Sequence, residues 1–539
     1  MPRRNGSPGW PSARSACGWN ASGHTPDHDP PPAPFSPLPQ IPVLPSRKRE
    51  PTAMATVTPR TAPPEADGPR SWVEATRSVP ATDHYPDVDS LLAGFRSLAA
   101  SHPDLVAERR IGTSRLGEPL LCFTVSEHDS GPPESARSAT GGEDYVVVGG
   151  VHPNEPVGGV TVLHLATRLC EDAELRARFG AAWHLVPCID PDGARLNEGW
   201  FGDPENKYLY GRHFYRPRGD EQIEWTFPFA YRDAYFDRVL PETLALMRLL
   251  DATKPRFLTT LHNCEAGGAY YYLNRPAPAL YAQLTAIPAA AGIPLATGEP
   301  EAAHTPLYAP GIHGAIDMRA AYDYLAGHGG DPAATLAGAS SAAYAEPYGT
   351  FYFVAEVPQW SHPDAEDDSP VPDSYREVLR LRADALGEAG AFLEEILKTA
   401  EPHLTLASPF LRASRSFVPG LRRLSETEIR RADGLHERPA TVAERYSCLQ
   451  SAHSLRMRFG GMLLRALEAE TGAGTAPREV HALRRALLER YDTWAAEAAP
   501  VMGTSLPIAT LSGVQYAALL AAADHARTEQ RPPQRREPQ

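Results

Sequence analysis

The sequence predicts an α/β fold: a sheet covered by helices on both faces, with a helical region after it. Two observations lead there. Short, continuous apolar runs with the look of buried strands (YVVVGG, WHLVPCI, RFLTTL, FYFVAEV) alternate with segments of helical spacing, and that alternation implies strands sandwiched between helices. From about residue 401 the chain turns to Ala, Leu, Arg and Glu at helical spacing, above all over 424–497 and 510–527. A third observation bounds the fold at its start. The run DPPPAPFSPLPQIPVLP has no apolar period of 2 or 3.6, so it cannot bury enough surface to offset its ordering entropy.

Taken in order, the elements are these. Residues 1–80 are expected to be a disordered, Pro-rich segment, and the change of composition suggests a translation start at Met54. Leu91, Leu92, Phe95 and Leu98 mark a first helix that ends before His-Pro. LVAERRIGTSRLGEPLLCFTV reads as two strands about a Gly-containing turn, and SEHDSGPPESARSATGGE as a polar loop. A strand at YVVVGG leads into the helix PVGGVTVLHLATRLCED, and DSYREVLRLRADALGEAGAFLEEILKTA follows the last strong strand. The expected units are 1–80, a catalytic domain over 81–400, the helical region 401–530 and a disordered tail 531–539. No internal repeat is evident.

Composition excludes some functions. With 52 basic and 66 acidic side chains the formal net charge is −14, a poor match to sequence-independent phosphate binding, so no nucleic-acid partner is expected. No run of about 18 apolar residues occurs, so no membrane partner is expected either. The N-terminus has charge but no apolar stretch of the secretory type. The six cysteines are scattered without a CxxC pair. Free thiols and a cytoplasmic setting are therefore expected.

Three segments carry candidate chemistry. In VVVGGVHPNEPVGG a strand runs out at Gly149-Gly150 and delivers His152 and Glu155 just before a helix, with Pro156 suited to its first turn. Open α/β sheets place ligands at the carboxyl ends of their strands, and an imidazole beside a carboxylate suits Zn²⁺. In KPRFLTTLHNCEAGG, His262 follows directly on a buried-type strand. Two His and one carboxylate form the ligand set of an open catalytic zinc. In GTFYFVAEVPQW, Glu356 sits late in an apolar strand, where a carboxylate costs free energy unless it is paired, hydrated or used. Singly, each has a bland alternative: a surface HxxE, a satisfied strand-end histidine, an ion-paired glutamate.

Together, HPNE, the strand-borne LHN and FYFVAE resemble, in order and spacing, the zinc metallocarboxypeptidases of the carboxypeptidase A type, over roughly Tyr85 to Ala400. The resemblance implies an eight-stranded mixed sheet. It implies one Zn²⁺ held by His152, Glu155 and His262, with Glu356 promoting attack by water. CIDPDGARLNEGW is similar to that family's Asn-Pro-Asp-Gly element and makes Arg195 the candidate for holding the oxyanion. YGRHFYRP is similar to the Asn-Arg-Asn-Phe element and makes Arg212 the candidate for gripping a substrate carboxylate, with Arg216 and Arg218 as competitors. Gly211 replaces the Asn of the Asn-Arg pair, and Asn154 the arginine of the first element. The mobile tyrosine falls near Thr335, so Tyr344 is the candidate substitute, and the side-chain pocket position falls near Ala342. These departures touch the grip on a peptide's end more than the metal centre. The expected function is zinc-dependent hydrolysis of a C-terminal peptide bond or comparable amide. The substrate would be a peptide or an amino-acid conjugate; the alternatives are a deacylase of small amino-acid conjugates and a non-catalytic binding protein.

Overall fold

The fold is organised by a mixed sheet of eleven strands. They are β1 (Val106–Thr113), β2 (Pro119–Val125), β3 (Glu143–Val148), β4 (Ala181–Val186), β5 (Phe257–Thr260), β6 (His262–Gly267), β7 (Tyr270–Leu273), β8 (Leu307–Ala309), β9 (Ile312–Gly314), β10 (Phe351–Ser361) and β11 (Thr504–Ser505). The order across the sheet is β1-β2-β4-β3-β5-β10-β7-β9-β8, with β6 and β11 also paired to β10. The centre, β4-β3-β5-β10, is parallel. The count exceeds eight because the strand after Pro255 is interrupted at Leu261 into β5 and β6, and because edge strands as short as two residues are added. The computed structural model describes residues 71–127 and 143–532. The suggested start at Met54, most of the polar loop 126–143 and residues 533–539 of the tail lie outside them.

Central strands read as unbroken apolar runs because helices cover both faces. Val146 and Val148 point into one core layer and Tyr145 and Val147 into the other. Among the helices are α1 (Val88–Ser101), α2 (Val157–Glu171), α3 (Lys207–His213), α4 (Pro241–Thr253), α5 (Pro278–Ala290), α6 (Tyr375–Ala400), α7 (Pro409–Asp433), α8 (Val442–Gly472), α9 (Arg478–Ala498) and α10 (Ile508–Thr528). Capping residues set several starts: Asp87 caps α1, and Ser374 with Glu377 and Thr441 with Glu444 form capping boxes at α6 and α8. Among the described residues no helix is long and apolar enough to cross a membrane, and the five described cysteines are free.

The helical region does not stand apart from the sheet. Helix α10 packs on β10, α2 and α5, and its buried Gln515 donates from Nε2 to the carbonyls of His262 (2.7 Å) and Ala355 (3.2 Å). The first of these bonds takes up a backbone acceptor just after the interruption at Leu261. Order also begins earlier than expected: Trp72 is buried and stacked on Phe179, and the 3₁₀ turn Val73–Arg77 rests on α10. Residues 71–80 are therefore packed, because an aromatic outside the helical pattern finds a partner far along the chain.

One buried ion pair crosses this sheet away from the site. His184 on β4 bonds Asp144 on β3 (2.9 Å) and Thr124 on β2 (3.0 Å). Burial disfavours its charge, but Asp144 and Cys122 outweigh burial and raise its pKa from 6.5 to about 9. A raised folded-state pKa gives stability that is fully present below pH 6.5 and lost as pH climbs through 9. At about 1.4 kcal/mol per pKa unit the loss is bounded at roughly 3 to 4 kcal/mol. Urea unfolding of wild type and His184→Gln at pH 6, 7.5 and 9 should show the wild type losing its advantage over that window; parallel pH profiles would refute the assignment.

Candidate active site

Two glycines shape the turn that delivers the first pair of candidate ligands. Gly150 adopts φ +65°, and a Cβ there would lie 2.7 Å from Cys188 Sγ; one on Gly149 would lie 2.5 Å from the Pro187 carbonyl. The chain can therefore turn tightly against the loop after β4. His152 and Glu155 follow, and Pro156 sits immediately before the first residue of α2. The third candidate, His262, opens β6, and the parallel register sets Glu356 of β10 directly opposite it.

The four side chains meet, all buried. His152 Nδ1 lies 3.1 Å from Glu155 Oε1 and 3.1 Å from His262 Nδ1, and His262 Nδ1 lies 2.9 Å from Glu155 Oε2. Three lone-pair donors this close repel one another unless a proton or a cation sits among them. Donors held about 2 Å from a tetrahedral zinc would themselves be a little over 3 Å apart, so the set fits that ion. The residues that could hold a metal are thus His152, Glu155 and His262. Burial and the Arg216 charge push the His152 imidazole down to about 3, which keeps it neutral. Burial opposes ionisation of Glu155, yet its two histidine contacts hold it well below the usual carboxylate range. Neutral imidazole and ionised carboxylate are the protonation states metal ligation needs. Glu356 Oε1 stands 3.8 Å from His262 Nδ1, and burial, then Glu155, raises its carboxyl well above the usual range.

These groups line a cavity of about 390 Å³. One side is β6 with Tyr270, Tyr272 and Glu356; the other is α8, through Tyr446, Ser447, Gln450, Ser454 and Arg458. Its outlying carboxylates are engaged: Glu265 by Arg458 and Tyr210, Glu299 by Arg431 and Tyr375, Glu301 by the Tyr270 and Tyr272 hydroxyls. Ala342 lines the cavity, at the place the pocket position was expected.

Three sequence-predicted residues do not join the site. Arg195 is drawn to Asp89 and Glu118 and does not line the cavity. Arg212 pairs with Glu468 of α8 (2.7 Å) and lies over Tyr491. Tyr344 packs on Phe227 and donates to Asp251. Each is taken by a partner far away in sequence. Thr335 is exposed and donates to the Asp331 carbonyl. The loss of Asn at Gly211 has a packing cause: a Cβ there would lie 2.3 Å from Tyr491 Oη, so α3 approaches the C-terminal helices only with glycine. Of the competing arginines, Arg218 turns to Asp220, while Arg216 lines the cavity 3.4 Å from Glu155 and 3.1 Å from Gln222. The α8 wall went unread in the sequence, since nothing in its composition marks the residues that face a site some 190 positions earlier.

Residues 91–278 match the model of the zinc carboxypeptidase family, a likeness that covers about a third of the chain. The match spans His152, Glu155 and His262 and ends before Glu356. No curated protein matches the chain. Solved structures that match the chain include carboxypeptidase A from Helicoverpa armigera, at 14% identity and TM-score 0.35 over 54% of this chain and 70% of that one. Another is the metallo-carboxypeptidase from Burkholderia cenocepacia, at 15% identity and TM-score 0.31 over 54% and 63%. Bovine thrombin-activatable fibrinolysis inhibitor matches at 14% identity and TM-score 0.27 over 36% of this chain. The chain spans 64% of that protein's length. At these values the likeness is loose.

Proposed function

We propose that the protein is a zinc-dependent hydrolase that cleaves a C-terminal peptide bond or comparable amide of a small substrate. The observation that carries this reading is the convergence of His152, Glu155 and His262 with Glu356 alongside them at the wall of one cavity. Bound by that triad, Zn²⁺ supplies a Lewis acid for the scissile carbonyl and lowers the pKa of water. The Glu356 carboxylate takes the proton of the attacking water and hands it to the leaving nitrogen. Arg216, in place of Arg195, offers its guanidinium to the carbonyl oxygen as negative charge grows there. The cavity walls hold the reacting groups away from bulk water, which strengthens each of these interactions.

The assignment of Arg216 is testable against Arg195. Removing one oxyanion donor costs about 10²–10³ in kcat, so Arg216→Ala should lose about that much with zinc still bound. Arg195→Ala, which breaks partly exposed ion pairs with Asp89 and Glu118 away from the cavity, should stay within about threefold. Equal losses in the two variants would overturn the assignment.

The α8 wall opposite the sheet favours a short substrate, and this keeps a deacylase of amino-acid conjugates in view as a second reading. A library of blocked dipeptides and N-acyl amino acids separates the two. Cleavage of blocked dipeptides alone would sink the deacylase, and cleavage of N-acyl amino acids alone would sink the exopeptidase.

A further inference from the structure

We infer that Glu224 is a positioning residue for the metal centre, acting through Tyr352 and Thr260 to keep the proton of His262 on Nε2 and leave its Nδ1 lone pair free for the ion. The inference rests on the metal-centre reading above.

Four buried side chains form an unbroken line behind His262. Thr260 lies two residues before it on the same face of the chain, and its Oγ1 is 3.1 Å from His262 Nε2. Tyr352, on the neighbouring strand β10, places its Oη 2.7 Å from Thr260 Oγ1. Glu224, from the 3₁₀ turn Ile223–Trp225, receives the Tyr352 hydroxyl at 3.4 Å, the longest link. Its two oxygens also accept from the Ser341 hydroxyl, at 2.8 and 2.9 Å, and one of them from the Ser341 N–H at 3.2 Å. All four lie in the interior.

The carboxylate gives the line its direction. An ionised carboxylate only accepts, so Tyr352 donates to it, and the tyrosine oxygen is then open to the Thr260 proton. Thr260, having given its proton to Tyr352, accepts from His262 Nε2–H. A neutral imidazole with its proton on Nε2 has its lone pair on Nδ1, the atom that faces Glu155 and His152. This polarity is contested. Glu155 Oε2, 2.9 Å from His262 Nδ1, would draw the proton onto Nδ1 and block the ligand atom. A second carboxylate at the far end of the line opposes that pull. Such outer partners fix tautomer and ring orientation in metal sites. His152 has no matching brace, for its Nε2 has no hydrogen-bond partner among the described residues.

Glu224 has no ion pair among the described residues, and burial raises its carboxyl although His262, Ser341 and Tyr352 favour its charged form. A buried carboxylate without a cation costs free energy, which a role in holding the metal site explains.

The test uses the full chain. Zinc affinity is measured at pH 7 by competition with a fluorescent chelator for wild type, Thr260→Val, Thr260→Ser, Tyr352→Phe and Glu224→Gln. Loss of such outer partners costs about 10–100-fold in affinity, so the Val, Phe and Gln variants should weaken by that factor. Thr260→Ser, which keeps the hydroxyl, should stay within about threefold, and Thr260→Val combined with Glu224→Gln should be no worse than either alone. NMR of ¹⁵N-histidine protein without metal should find His262 as the Nε2–H tautomer in wild type and as Nδ1–H in Tyr352→Phe. Variants of unchanged Tm that bind zinc like wild type, with His262 still Nε2–H, would overturn the relay. A wild type that binds no zinc would defeat the metal-centre reading, and the tautomer would then decide the relay alone.

Discussion

Replacing Glu356 with glutamine should abolish turnover by two to four orders of magnitude while leaving zinc bound. The size follows from the job. A positioned proton-transfer group contributes about 10²–10⁴ to rate, and an amide of the same shape can neither take nor return a proton. The geometry separates this from a ligand's role. Glu356 lies opposite His262 in the register but 3.8 Å from its Nδ1, outside the 2.9–3.1 Å triangle of the three candidate ligands. Its burial argues the same way. A carboxylate late in an apolar strand, its pKa raised by the interior and by Glu155, is held ready to carry a proton. Stopped-flow or product assays beside metal analysis check this. A variant that keeps its activity would remove Glu356 from the chemistry; one that loses zinc would make it a ligand.

Removing a ligand should have a second and different signature. His262→Ala leaves one imidazole and one carboxylate, too few for an open catalytic zinc, so bound metal and turnover should both vanish. The folded state should register the difference too. An ion that binds only the native protein adds about 4 kcal/mol of stability at a thousandfold excess over Kd. Adding zinc to metal-free wild type should therefore raise Tm by several degrees, and His262→Ala should not respond. Gln515 holds the backbone of residue 262 through its carbonyl, which the substitution leaves in place, so the variant is expected to fold.

What the sequence shows of this site divides by distance along the chain. His152, Glu155 and His262 were legible because each follows within a few residues of a strand end, and strand ends can be read from local apolar runs. Glu356 was legible because a lone acid in FYFVAE conflicts with its surroundings. Arg195, Arg212 and Tyr344 were misplaced for the converse reason. A long polar side chain goes to its strongest partner, and those partners, Asp89 with Glu118, Glu468 and Asp251, are set by the fold and not by neighbours in sequence. The central sheet was legible, while the interruption at Leu261 and the short edge strands were not, because both depend on pairing. The helices beyond residue 401 were recognised from their spacing. Their two contributions to the site, the α8 wall and Gln515, come from single residues in otherwise ordinary amphipathic patterns.

The central claim is that His152, Glu155 and His262 hold one catalytic zinc. The most direct measurement is the zinc content of the full chain and of His262→Ala, by mass spectrometry after incubation with zinc and desalting. One zinc per wild-type chain and none in the variant is the predicted result. A wild type that retains no zinc, or a variant that retains as much, would contradict it, and in the first case a binding protein on a peptidase scaffold would become the better description.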